Sequence, residues 1–204
     1  MLLEHGVPER LQNLRNICIT SGYQSLPSHD GESYFLRFAF GVVSPSTRSF
    51  SLLKFRGSYS IVETIASYPA MQNILYLDIS DVKLQLTEVI ELIQILPNLE
   101  YLCYSCGGLG SSLGRVLYKE MPHILHAKYY PLSMRLKCCG INTFKRTPTR
   151  SIAVTAMVLA ILCPRLTFAK VPSYLITTYN SAIENAIRDE PYLEHSDRLE
   201  SLLN

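Results

Sequence analysis

The sequence predicts an α/β fold: a solenoid with a parallel inner sheet and helices on its convex side. Three observations carry that prediction. The stretches "NILYLDIS" (Asn73–Ser80) and "NLEYLCYS" (Asn98–Ser105) lie 25 positions apart and read almost in register. Apolar residues one, four and six places after an anchor recur along the chain, with anchors at 49, 73, 98 and 123 among them. Between these segments run stretches of helical period such as "LTEVIELIQIL". A fixed period of this kind marks stacked units, none of which can bury its apolar face alone.

Taken in order, the anchor at Asn13 sets Leu14, Ile17 and Ile19 inward within "NLRNICIT". Ser49 sets Phe50, Leu53 and Phe55 inward within "SFSLLKFR". Asn73 gives Ile74, Leu77 and Ile79, and Asn98 gives Leu99, Leu102 and Tyr104. His123 gives Ile124, Ala127 and Tyr129, and Arg165 gives Leu166, Ala169 and Val171. Proline closely precedes four of these anchors, as Pro69, Pro97, Pro122 and Pro164, and stops whatever helix comes before it.

Three segments supply returning helices. In "LTEVIELIQILPNL", Thr87 is the expected cap, and Val89, Ile90, Leu92, Ile93 and Leu96 form the apolar face. "IVETIASYPAM" (Ile61–Met71) repeats the arrangement. "TRSIAVTAMVLAILCPRL" (Thr149–Leu166) is apolar nearly all round, as suits a helix packed between neighbours.

The intervals 13 to 49 and 123 to 165 are longer than the others. "YFLRFAF" (Tyr34–Phe40) and "SMRLKCC" (Ser133–Cys139) are read there as additional strands, with "QSLPSHDGES" and "NTFKRTPTRS" as polar insertions. The pattern changes after residue 172, giving two domains: a solenoid over 1–172 and a C-terminal helical cap over 173–204. A terminal cap protects an end turn that would otherwise be exposed.

Over residues 10–172 the quoted segments resemble the leucine-rich repeat family, in the degenerate helix-bearing form found behind F-box motifs in fungal and other eukaryotic proteins. The resemblance implies a non-catalytic protein-interaction scaffold, related to the substrate-recognition arm of F-box proteins. Two departures qualify it. The family's Asn/Cys position is occupied here by Gly22, Ser58, Val82, Gly107, Leu132 and Tyr174, so its asparagine ladder is missing. No F-box motif precedes the first repeat; the expectation is that a partner covers the amino end or that the chain is a shortened relative.

Composition narrows the partners. With 48% apolar and 18% charged residues the chain is not a disordered one. A net charge of +2 and the lack of a basic run disfavour nucleic acid. The longest apolar run, Ile152–Cys163, stops at Pro164 well short of the ~20 residues a membrane span needs, so no membrane role is expected. "MLLEHGVPERLQNL" lacks the apolar centre of a signal peptide, which points to an intracellular protein, cytoplasmic or nuclear, with its six cysteines reduced.

Chemistry-bearing motifs are weak. Cys103 and Cys106 in "CYSC", with Cys138 and Cys139, lack the paired spacing of a zinc site, since one pair begins in a strand and the other is adjacent. "GGLGSSLGR" (Gly107–Arg115) has no Gly-Lys-Ser/Thr, and Leu113 stands where a dinucleotide fingerprint needs its third glycine. His123 and His126 have metal-ligand spacing for a helix, but the template makes that segment extended. No nucleophile–base set appears, so the expectation is no enzyme and no cofactor. The alternatives are a cysteine-based metal- or thiol-dependent enzyme, or a shortened paralogue without a retained partner. The functional surface is instead expected on the concave face, where a protein partner would meet Arg15, Lys54, Tyr76, Asp78, Tyr101, Cys103, His126 and Lys128. Tyrosine and arginine carry much of the energy at interfaces, and Tyr76 and Tyr101 would form the centre.

Overall fold

A computed structural model describes residues 12–21, 29–55, 60–109, 121–142 and 149–168. It is an α/β structure built on one six-stranded, wholly parallel sheet. The elements in order are β1 (Asn16–Thr20), α1 (His29–Gly41), β2 (Ser49–Leu53), α2 (Ile61–Ala66), a 3-10 turn (Pro69–Asn73), β3 (Tyr76–Gln85), α3 (Leu86–Ile95), β4 (Tyr101–Gly108), α4 (Met121–Tyr129), β5 (Cys138–Asn142), α5 (Thr149–Leu162) and β6 (Thr167–Phe168). Spatial order equals chain order, from β1 to β6, with no reversal and no closure. The C-terminal cap expected over 173–204 lies outside the described residues.

One face of the sheet is the core. Ile17, Phe50, Leu77, Leu102, Cys139 and Phe168 form a register row across all six strands, and the first five are buried. The helices close over this face: α1 packs on α2, α2 on α3, and α4 on α5. Leu36, Ala39 and Phe40 of α1 are buried at helical spacing, and the Phe40 ring lies 5.2 Å from that of Phe50. Burying a side chain the size of Leu36 or Phe40 contributes about 1.5–3 kcal/mol.

The strands begin in a common way. The amides of Arg48 and Ser49 both donate to the Arg15 carbonyl. Leu75 and Tyr76 do the same to Arg48, Glu100 and Tyr101 to Leu75, and Lys137 and Cys138 to Glu100. Side chains add further links between neighbouring strand starts: Thr47 Oγ1 donates to the Leu14 carbonyl (3.0 Å), Asn98 Nδ2 to Gln72 (2.9 Å) and Thr167 Oγ1 to Lys137 (2.7 Å). Ser44 and Ser46 hydroxyls both donate to Gln12. These bonds satisfy backbone carbonyls where the chain enters each strand.

Several expectations are corrected. "YFLRFAF" is helical, because its buried residues Leu36, Ala39 and Phe40 follow a three- and four-residue spacing. The segment after His123 is also helical: α4 carries Pro122 in its first described turn, a place where a helix tolerates proline. The strand after β4 starts instead at Cys138, within reach of "SMRLKCC", and Leu136, Cys139 and Ile141 point inward there. The cap of α3 is Gln85, whose amide donates to Glu88 Oε2 at 2.7 Å in a capping box, and not Thr87.

The register of β2 also differs. Phe50 pairs with Leu77, so Ser46 and not Ser49 corresponds to Asn73. The first inward position then falls on Thr47, which is fully buried. At the amino edge Leu14 is 40% exposed, although the template sends it inward.

Candidate functional site

Parallel sheets are ordinarily covered on both faces, and their strands then read as continuous apolar runs. These strands alternate instead. β3 reads exposed–buried–half-buried–buried from Tyr76 to Ile79, and β4 repeats the alternation from Tyr101 to Tyr104. Helices therefore cover one face, and among the described residues no element packs on the other.

Two register rows cross that open face. The first runs Asn16, Ser49, Tyr76, Tyr101, Cys138, Thr167. The second runs Cys18, Ser51, Asp78, Cys103, Gly140. Tyr76 and Tyr101 are direct register partners with ring centroids 6.0 Å apart and planes tilted by 31°. Tyr76 is 48% exposed, the largest aromatic projection on this face, and its neighbours are mostly small residues.

The Tyr101 phenol is pushed up to about 12. Desolvation is the main cause; the anionic forms of Cys103, Cys138 and Asp78 and a hydrogen bond to Cys103 add to it. The shift therefore matters only at alkaline pH, between about 10 and 12. Asp78 is the sole carboxyl side chain of the two rows. Its Oδ1 accepts the Ser80 amide at 3.0 Å, and it forms no ion pair with a described residue.

Beyond Asp78 the strand makes an excursion. Ile79 pairs with Tyr104 but Lys83 with Ser105, so residues 80–82 are extra. The Ser80 carbonyl faces the next two strands and accepts from Ser105 Oγ at 2.5 Å and Asn142 Nδ2 at 3.4 Å. Gly107 compensates on β4: a Cβ there would come within 3.1 Å of the Leu84 carbonyl oxygen. The excursion also holds β2, because Asp81 Oδ2 accepts the Lys54 amide at 2.7 Å.

Of the eight residues expected on one surface, Tyr76, Asp78, Tyr101 and Cys103 stand together on the open face. Arg15 precedes β1 and lies at the edge where strands begin. Lys54 does not join them: it follows β2 in the left-handed region (φ 58°), a consequence of the shifted register. His126 and Lys128 are exposed residues of α4, so they belong to the helical layer. His126 stacks on Tyr130 with centroids 4.3 Å apart, and the Lys128 ammonium sits over the Tyr129 ring.

The reading by residue type missed Ser49, Ser51 and Cys138, whose places follow only from pairing partners. It also missed the Lys137–Glu100 ion pair (2.9 Å) beside the first row. No cysteine forms a disulfide. Cys103 and Cys138 are half-buried on the open face, whereas Cys106, Cys139 and Cys163 are buried. Among the described residues no three His, Cys, Asp or Glu side chains gather as a metal site would need, and no helix is long and apolar enough to cross a membrane.

On the helical side, a hollow of about 420 Å³ lies between α1 and α2, lined by Arg37, Glu63, Thr64, Ser67 and Tyr68. It holds no nucleophile–base pair within a described hydrogen bond. No protein-family model, curated protein or solved structure matches the chain.

Proposed function

We propose that this chain is a non-catalytic protein-interaction scaffold of the leucine-rich-repeat type, a solenoid whose open sheet face takes the partner. The observation that carries this reading is the one-sided sheet. A parallel sheet that leaves one face to Tyr76, Tyr101 and small polar residues keeps a broad, preformed surface with an aromatic centre. The strand starts support the repeat, since the same pair of amides meets one carbonyl of the preceding unit at four successive strands. By resemblance, the surface would serve as a substrate-recognition arm related to those of F-box proteins.

Site-specific photo-cross-linking tests the reading. A photoreactive residue in place of Tyr76 reports on the open face, and one in place of Glu91, exposed on α3, reports on the helices. With the two probes compared in matched extracts, a partner should cross-link at Tyr76 and not at Glu91. Cross-linking confined to Glu91 would place the partner on the helical layer and overturn the proposal.

A further inference from the structure

We infer that the open face selects a partner segment that sets an arginine or lysine side chain over the Tyr76–Tyr101 pair beside Asp78. The inference deepens the proposed function and rests on it. Three observations lead to the cation. The first is the aromatic pair: its rings are 6.0 Å apart and tilted, and Tyr76 is half exposed, so a ring face is open to a cation.

The second is position. Asp78 lies two residues beyond Tyr76 on the same strand, hence on the same face and about 7 Å further along. One guanidinium can span a ring and that carboxylate. The third is charge. The two register rows contain a carboxylate and no cation of their own.

Among the described residues, the cations Arg15, Arg48, Lys54 and Lys137 stand at the ends of the strands. Arg48 is engaged with the carbonyls of Pro45 and Thr47, and Lys137 with Glu100. Lys83 shares the face but lies past the 80–82 excursion, outside the two rows. Small neighbours such as Ser49, Ser51 and Cys103 leave room beside the rings. An acidic segment would meet Asp78 unfavourably at the centre, which sets the preference.

A phage library of random short peptides, panned on the folded full chain, tests this directly. Binders lost on Tyr101→Ser are the face-dependent set. Arginine or lysine should be enriched among them at one position, and replacing it by glutamine should weaken binding about tenfold. Asp78→Asn should weaken the same peptides about fivefold, while Glu91→Gln on the helical layer should leave them unchanged.

Equal weakening by Asp78→Asn and Glu91→Gln would mean unspecific attraction to net charge and would overturn the inference. Face-dependent binders that are neutral or acidic would overturn the cation preference while leaving the open face as the binding surface. Binders indifferent to Tyr76→Ser, Tyr101→Ser and Asp78→Asn alike would remove the basis of both.

Discussion

Tyr76 and Tyr101 are register partners on adjacent parallel strands, with ring centroids 6.0 Å apart on the face that the described helices leave open. Each is followed by a leucine, Leu77 or Leu102, that is wholly buried on the other face. One step along the strand thus separates surface from core. Leu102→Ala should lower stability by about 2–5 kcal/mol, through lost transfer energy and the cavity left behind. Tyr76→Ser should cost less than about 1 kcal/mol, mainly the aromatic contact. Urea unfolding of the two variants checks the contrast.

The raised phenol of Tyr101 has a consequence at alkaline pH. The folded chain holds that proton more tightly than the unfolded chain, whose tyrosines ionise near 10. The associated stability is intact below about pH 10 and is lost as pH rises through about 12. Tyr101→Phe should match the parent near pH 8 and lose less stability than the parent near pH 11. Urea midpoints of both proteins at the two pH values test this, and parallel losses would contradict it.

Lys54 sits at φ 58°, where a side chain is unfavourable, and its amide donates to Asp81 Oδ2 at 2.7 Å. Lys54→Gly should therefore stabilise the chain by up to about 1 kcal/mol, reduced by glycine's freedom in the unfolded state. Asp81→Ala should destabilise it by about 1 kcal/mol, because it removes the charged acceptor that ties the 80–82 excursion to β2. Thermal unfolding of the two single variants reads both signs.

How much of this was legible in the sequence follows from which signals are local. The strands at Tyr76 and Tyr101 were readable because alternation, a preceding proline and a helix of clear period agree there. The β2 register was not, since its first inward residue is Thr47. Its hydroxyl is satisfied by the Leu14 carbonyl, so a template asking for an apolar residue passes over it. The helix at His123 was misread because a proline before a strand and a proline in a first helical turn look alike in sequence. Of the candidate surface, Tyr76, Asp78, Tyr101 and Cys103 were readable from alternation alone. Cys138 was not, because its strand follows an interval of 37 residues in register (Tyr101 to Cys138), unlike the 25 from Tyr76 to Tyr101.

The central claim is that one face of the sheet is core and the other open, and the adjacent residues Cys138 and Cys139 test it most directly. They share β5 but point to opposite faces: Cys138 is half-buried and pairs with Tyr101, while Cys139 is buried and pairs with Leu102 and Phe168 in register. Burial also pushes the Cys139 thiol well above its ordinary range, which suppresses the reactive thiolate. The measurement is timed alkylation of the native chain, read by peptide mass spectrometry with fragmentation between the two residues. Labelling of Cys138 in the native state, with Cys139 labelled only on unfolding, is the predicted result. Equal labelling of the two, or protection of both until unfolding, would contradict an open face on this sheet.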